Sequence, residues 1–272
     1  MSNLADTILK PVIKVRQGQF LQEDDVIVTE YPLTIFLNDE EFATVVCTPT
    51  NLEELVIGFL ASEGAIRSYD EIKQVSIDTE QGFAYVDLQK QTQLQQSFYS
   101  KRRITSCCGK SRQSFYFFSD ARTARPVQTS LKIGVAQCLR LMEQLQSASV
   151  IHQTTGGVHN AALCTPEQVE LQYADIGRHN ALDKIYGYCL RHQLHTADKL
   201  LVFSGRLSSE VLLKAAKIGC GILISKSAPT ELALQLAEEL NITAIGFVRN
   251  ENMNIYTHPD RIAEYAAKKV GS

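Results

Sequence analysis

The chain has 272 residues, is 44% hydrophobic and 21% charged, and carries a formal net charge of −3. That size suits one large domain or two unequal ones, and the composition is that of a globular chain able to bury an ordinary core. The charge excludes a molecule-wide nucleic-acid surface, and no apolar run reaches membrane-spanning length.

Residues 1–10 lack the basic start, apolar stretch and small-residue cleavage site of an export signal, so a cytoplasmic location is expected. Residues 11–48 alternate apolar and polar side chains and read as strands, with "LNDEEF" as a turn. Residues 48–66 read as a helix capped by Thr50 or Asn51 and stopped by Gly64. "IKQVSIDTEQGFAYVDLQ" reads as a hairpin. Residues 90–114 are polar and rich in Gln, Ser, Arg and Lys, the texture of a long functional loop.

Beyond Pro126 the texture changes. "LKIGVAQCLRLMEQLQ" is an amphipathic helix, "TTGGVHNAALCT" a glycine turn running into a strand, and "QVELQYADIG" a second strand. "RHNALDKIYGYCLRHQ" is a helix, with Asn180 as N-cap and Asp183 in its first turn. "KLLVFSG", "CGILISK" and "ITAIGFV" are strands separated by the helices "SSEVLLKAAKIG" and "APTELALQLAEELN", the latter with Pro229 in its first turn. This βαβαβ order implies parallel strands with right-handed crossovers. Residues 1–125 and 126–272 are expected to form a smaller β-rich domain and an α/β domain.

Ligands of open α/β sheets bind beyond the carboxyl ends of the strands. The segments there are "ADIGRHN", "SGRLSS", "SKSAPT" and "VRNEN", which carry Arg178, His179, Arg206, Lys226 and Arg249 beside hydroxyls and glycines. They read as an anion-binding rim, weighed against ordinary solvated loop charges. "GCG" at 219–221 reads as a helix-ending turn and not as a dinucleotide fingerprint. His152 and His159 flank "TTGG" but lack a third and fourth metal ligand; His192, His195 and His258 read as structural or surface residues.

Of the seven cysteines, Cys47, Cys138, Cys164, Cys189 and Cys220 sit among small apolar residues and read as buried hydrophobes. Cys107 and Cys108, in "ITSCCGKSR", sit among Lys101, Arg102, Arg103, Lys110 and Arg112, which favour a thiolate. Cys108 is the better nucleophile candidate, against a metal-binding or merely oxidisable thiol.

The stretches "TTGGVHNAAL", "DIGRHNALDKIYG", "SGRLSSEVLLKAAKIGCGILISKSAPTELALQLAEELNITAIGFVR" and "IYTHPDRI" resemble the formate dehydrogenase accessory sulfurtransferases, the FdhD family, over roughly residues 25–265. The resemblance implies a cytidine-deaminase-like three-layer α/β domain with a mixed sheet, plus a smaller mostly-β N-terminal domain, assembled as a homodimer. It also implies a sulfurtransferase that accepts sulfur from a cysteine desulfurase as a persulfide. The sulfur passes to molybdenum bis(molybdopterin guanine dinucleotide), bound as acceptor substrate, for a formate dehydrogenase client. No resident metal is expected.

The family's loop motif, Cys-Gly-x-Cys-Gly, aligns its first cysteine with Cys108, with Cys107 as a neighbour and Ser111 where the second cysteine would stand. The family's nucleotide-contact segment matches Phe247, Val248, Arg249, Asn250, Glu251 and Asn252. With Arg178, His179, Ser204, Gly205, Arg206 and Lys226, these are the expected cofactor-binding residues. The alternatives are a non-catalytic chaperone that delivers the cofactor and, without a metal motif, a nucleotide hydrolase or deaminase.

Overall fold

In the computed structural model the described residues are 5–89 and 124–270. Strands β1 (Thr7–Arg16) and β2 (Gln19–Val28) pair antiparallel as a separate two-stranded sheet. Their two-residue turn, Gln17–Gly18, has positive φ at both positions, as a turn matched to strand twist requires. The hairpin is two-faced. Lys14 and Arg16 donate to Asp25 and Glu23 at 2.8 and 2.9 Å on one face. On the other face Leu9, Ile13, Val15 and Phe20 are 67%, 70%, 59% and 77% exposed.

A four-stranded sheet follows, from β3 (Tyr31–Leu37), β4 (Glu40–Cys47), β5 (Ile72–Asp78) and β6 (Phe83–Leu88), in the order β4-β3-β6-β5. Its central pair is parallel and the outer pairs antiparallel. Helix α1 (Leu52–Ser62) covers it and ends at Gly64 (φ +76), where Gly64 N–H donates to Ala61 O and Ala65 N–H to Leu60 O. These paired bonds satisfy the last carbonyls, and only glycine takes that left-handed turn without strain.

The largest sheet has six strands: β7 (His159–Cys164), β8 (Val169–Asp175), β9 (Leu200–Phe203), β10 (Ile222–Ser225), β11 (Thr243–Arg249) and β12 (Asn252–Ile255), in the order β12-β11-β10-β9-β7-β8. The expected parallel run β9–β10–β11 is present, with antiparallel partners at both sides. Alternate side chains serve opposite faces. Ala161, Leu163, Leu201, Phe203, Leu223 and Ala244 pack on α4 (Arg178–Arg191), α5 (Ser209–Ile218) and α6 (Glu231–Glu239). Ala162, Leu200, Val202, Ile222, Ile245 and Val248 pack on α2 (Val135–Ser147). Two shorter helices, α3 (Val150–Thr155) and α7 (Ala263–Val270), complete the described α-helices.

Some boundaries differ from the expectation. Helix α2 begins four residues late, because Ile133 is bridged to Ile262 and the first turn is tied to Gln137 and Glu264 instead. Pro229 precedes N-cap Thr230, held by a bridge to Leu207, and so lies outside the first turn. Helix α3 and strand β12, six and four residues long, are too short to carry a readable period.

Helix α1 joins the four-stranded sheet to the larger one. A Cβ built on Gly58 would lie 1.8 Å from Asp183 O, and one on Gly187 1.9 Å from Glu54 O. The crossing of α1 and α4 is therefore backbone against backbone.

Candidate functional site

The site lies at the carboxyl edge of the six-stranded sheet, and one buried carboxylate sets its shape. Asp175, at the end of β8, accepts from Gly177 N and Asn180 Nδ2 through Oδ1 at 2.8 and 2.9 Å. Its Oδ2 accepts from Thr48 N and Thr48 Oγ1 at 3.1 and 2.9 Å and pairs with Lys184 Nζ at 2.8 Å. Both charged side chains are 0% exposed, and Lys184 also donates to Thr48 Oγ1 and Ala174 O. A charge removed from water is tolerated only with such a complete partner set. Beside it Asp183 accepts from Ser62 Oγ at 2.6 Å and pairs with Lys214.

Asn180 and Asp183 therefore do not cap α4. The cap is Gly177, because Asp175 already receives its N–H and draws the Asn180 amide back toward Val46 O and itself. These side chains join the two sheets and fix where α4 starts.

That start presents Arg178 and His179. His179 Nε2 is 2.8 Å from Glu210 Oε2 on α5, and burial holds the imidazole below its ordinary pKa although Glu210 pulls it up. His159 opens β7 opposite Asp175, half-buried. Burial, reinforced by Arg178, His152 and His179, holds it below the ordinary imidazole value against the pull of Asp175. The next turn is bonded to this corner: Ser204 N–H donates to Asn160 O at 3.0 Å, and Ser204 Oγ accepts from Asn160 N at 2.8 Å. A Cβ on Gly205 would meet the Phe203 ring at 2.8 Å and Arg178 Cβ at 3.4 Å. Arg206 is exposed, and its side chain has no hydrogen-bond or ion-pair partner among the described residues.

On the other face of the sheet a groove of about 750 Å³ runs between α2 and the β11–β12 turn. Lys226, Val248, Arg249, Asn250 and Glu251 line one wall; Glu143, Gln146 and Gln153 line the other. Lys226 Nζ donates to Gln146 Oε1 at 2.8 Å. Asn250 and Glu251 both have positive φ, as does Phe247, and the register slips between Gly246 and Arg249. This bulge and tight turn re-aim the strand end. The Arg249 guanidinium lies 5.7 Å from the Phe247 ring centre.

The expected cofactor residues thus fall into two groups on one edge. Lys226 and 248–251 share the groove, flanked by Phe247 and Asn252. Arg178, His179, Ser204, Gly205 and Arg206 lie around the neighbouring turn. Ser227 Oγ donates to Ser204 O at 3.1 Å and Lys226 N–H to Phe203 O at 3.3 Å, tying the groups together. The sequence reading missed Glu143 and Gln146, which in isolation look like the solvated face of an amphipathic helix, and Gln153, on the short helix α3.

Cys107 and Cys108 lie outside the described residues. The other five cysteines are free and buried, as expected. Burial pushes Cys47, Cys138, Cys164 and Cys189 up to about 12, and Cys220 well above the ordinary thiol value. Among the described residues no group of three or more His, Cys, Asp and Glu could hold a metal. No described helix is long and apolar enough to cross a membrane.

Residues 28–263 match the model of the FdhD/NarQ family. The chain is 60% identical over 254 residues to the sulfur carrier protein FdhD of Halalkalibacterium halodurans, covering 93% of this chain and 94% of that one. It is 59% identical over 258 residues to the sulfur carrier protein FdhD of Bacillus subtilis, with coverage of 95% and 98%. Among solved structures it is similar to a putative formate dehydrogenase accessory protein from Desulfotalea psychrophila. That likeness has TM-score 0.78 and 25% identity, covering 95% of this chain and all of that one.

Proposed function

Because the chain belongs to the FdhD/NarQ family of sulfur carrier proteins, we propose that it accepts sulfur as a persulfide on Cys108 and hands it to a nucleotide-bearing molybdenum cofactor. The carrying observation is an elimination. Five of the seven thiols are buried and free, with pKa values raised beyond the reach of neutral pH. Only Cys107 and Cys108 remain, set among cations in the sequence. The Cys108 thiolate attacks the outer sulfur of a cysteine desulfurase persulfide. The new S–S bond forms as the donor's breaks, the donor cysteine leaves as thiolate, and no net oxidation is needed. We name Cys108 the acceptor and Cys107 its neighbour.

The acceptor is reduced molybdenum bis(molybdopterin guanine dinucleotide), which would supply the two electrons that take the persulfide's outer sulfur to sulfide while Cys108 leaves as thiolate, and the served enzyme is a formate dehydrogenase in the cytoplasm. A groove lined by Lys226 and Arg249 together with amide and carboxylate side chains suits a nucleotide. The cytidine-deaminase-like layout belongs to the same reading. GDP is the simplest probe of the groove. Wild type is expected to bind it, and Lys226→Ala and Arg249→Glu each to weaken binding about tenfold, the worth of one charge-assisted contact. Unchanged calorimetric affinity in both variants would remove the groove from the reading.

The assembly is a homodimer joined through the hairpin β1–β2. Four large side chains on one exposed face exceed what a lone hairpin keeps in water, and two strands alone make a marginal sheet. The open face carries one charge, Asp24, so a second copy of the same face is a chemically matched cover. Light scattering should give twice the chain mass for wild type and the single-chain mass for Phe20→Asp. A wild-type monomer would refute the dimer.

A further inference from the structure

We propose that His159, with Arg178 beside it, receives the anionic sulfur-accepting end of the substrate whose nucleotide end lies in the groove, so that the substrate lies across the sheet edge from one face to the other. This deepens the reading above and rests on it.

The polar side chains of the two signature stretches at this corner are nearly all engaged. Asn160 Oδ1 accepts from Ser149 Oγ at 2.7 Å. Asp175, Asn180, Asp183 and Lys184 form the joint. His152 Nδ1 contacts Val158 O at 2.9 Å, and His179 is paired with Glu210. The His159 side chain has no hydrogen bond or ion pair among the described residues, although its neighbours and half-buried strand position hold it in place.

Its orientation follows from the strand. Ala161 and Leu163 of β7 face the helices α4–α6, and His159 shares their side by the two-residue period. That is the side on which α4 begins with Arg178, whose Cβ lies 3.4 Å from the position a Gly205 Cβ would take. The groove lies on the opposite face, against α2. Between them, among the described residues, run the turns at 203–206 and 225–227, bonded to each other through Ser227 Oγ and Ser204 O.

The chemistry fits an anion at this corner. A guanidinium and the start of a 14-residue helix supply positive potential. An imidazole kept neutral by burial and Arg178 offers an N–H donor without adding a second charge to be desolvated. His159 is thus a positioning residue for the acceptor and takes no part in holding the nucleotide.

The experiment uses the full-length protein loaded with persulfide by a cysteine desulfurase. It reads three quantities for wild type, His159→Phe and His159→Gln: GDP affinity, sulfur loaded, and the rate at which loaded sulfur leaves on addition of purified molybdenum bis(molybdopterin guanine dinucleotide) with its metal reduced to the +4 state, so that the acceptor gives the two electrons by which persulfide sulfur becomes sulfide and Cys108 leaves as thiolate. His159→Phe should bind GDP and load sulfur as wild type does but discharge at least about tenfold more slowly, the worth of a hydrogen bond to an ionised group. His159→Gln keeps an N–H donor and should recover most of the rate. Wild-type discharge by His159→Phe overturns the assignment. So does loss of GDP binding together with discharge, which would make the two stations one. A wild type that keeps its sulfur in the presence of the cofactor overturns the acceptor reading as well.

Discussion

Lys184→Met is expected to lower the unfolding free energy by about 3–5 kcal/mol, because it leaves the Asp175 carboxylate buried without its countercharge. The two side chains are fully buried and 2.8 Å apart, and Asp175 also receives four hydrogen bonds from Thr48, Gly177 and Asn180. Lys184 lacks any route to water, so no rearrangement of solvent substitutes for it. Urea denaturation should show a lower midpoint with an unchanged slope. The double variant Asp175→Leu/Lys184→Met should cost less than the sum of its parts, since the two residues are coupled. A loss below about 1 kcal/mol for the single change would mean that the pair is far more hydrated than its burial indicates. The consequence reaches function, because this network fixes the first turn of α4, where Arg178 and His179 stand.

Gly58→Ala is the second large effect, and here two rules give opposite signs. In a helix interior, glycine to alanine normally stabilises by roughly 1 kcal/mol. At Gly58 the added methyl would lie 1.8 Å from Asp183 O, 2.6 Å from its carbonyl carbon and 2.7 Å from Gly187 N, all backbone atoms that no rotamer change can move. The helices must separate, and the expected result is a loss of about 3 kcal/mol or more, at the upper end of overpacking costs. Gly187→Ala should behave alike, since its methyl would meet Glu54 O at 1.9 Å. Gly156→Ala is the internal contrast: nothing lies within 4 Å, and only its φ of +64° resists substitution, so about 1 kcal/mol is expected there. A Gly58→Ala protein as stable as wild type would show that α1 and α4 do not cross at this distance.

Periodic features were the legible part of the fold. The βαβαβ run reads from the alternation of short apolar strands with helical repeats, and its parallel pairing follows from the lengths of the crossovers. Gly64 and Gly219 read correctly as helix ends, because a left-handed turn has a sequence signature. Asn180 was misread for a physical reason. Its local context is that of an N-cap, but its amide answers Asp175 and Val46, the latter 134 positions away in the chain. No window of sequence contains that partner.

The site divides in the same way. Strand order alone places Arg178, Arg206, Lys226 and Arg249 along one edge. Which face of the sheet each group serves depends on how α2 packs, so the separation of the groove from the His159 corner had no sequence signal. Gln146 and Gln153 became groove residues only through that packing. The long signature stretches, by contrast, identified the family directly. Part of their content proves structural: in "IYTHPDRI" Thr257 bonds Ala244 N and Ile242 O, and Arg261 bonds Thr243 and Asn241.

The central claim is that sulfur travels on Cys108, and the most direct test is the intact mass of the protein after incubation with a cysteine desulfurase and cysteine. Wild type and Cys107→Ala should each gain one sulfur, removable by a thiol reductant. Cys108→Ala should gain none, because the five buried thiols cannot take its place and Cys107 is the neighbour and not the acceptor. Equal loading on all three proteins would contradict the assignment, and no loading on any, with an active desulfurase, would favour a chaperone that delivers the cofactor without carrying sulfur.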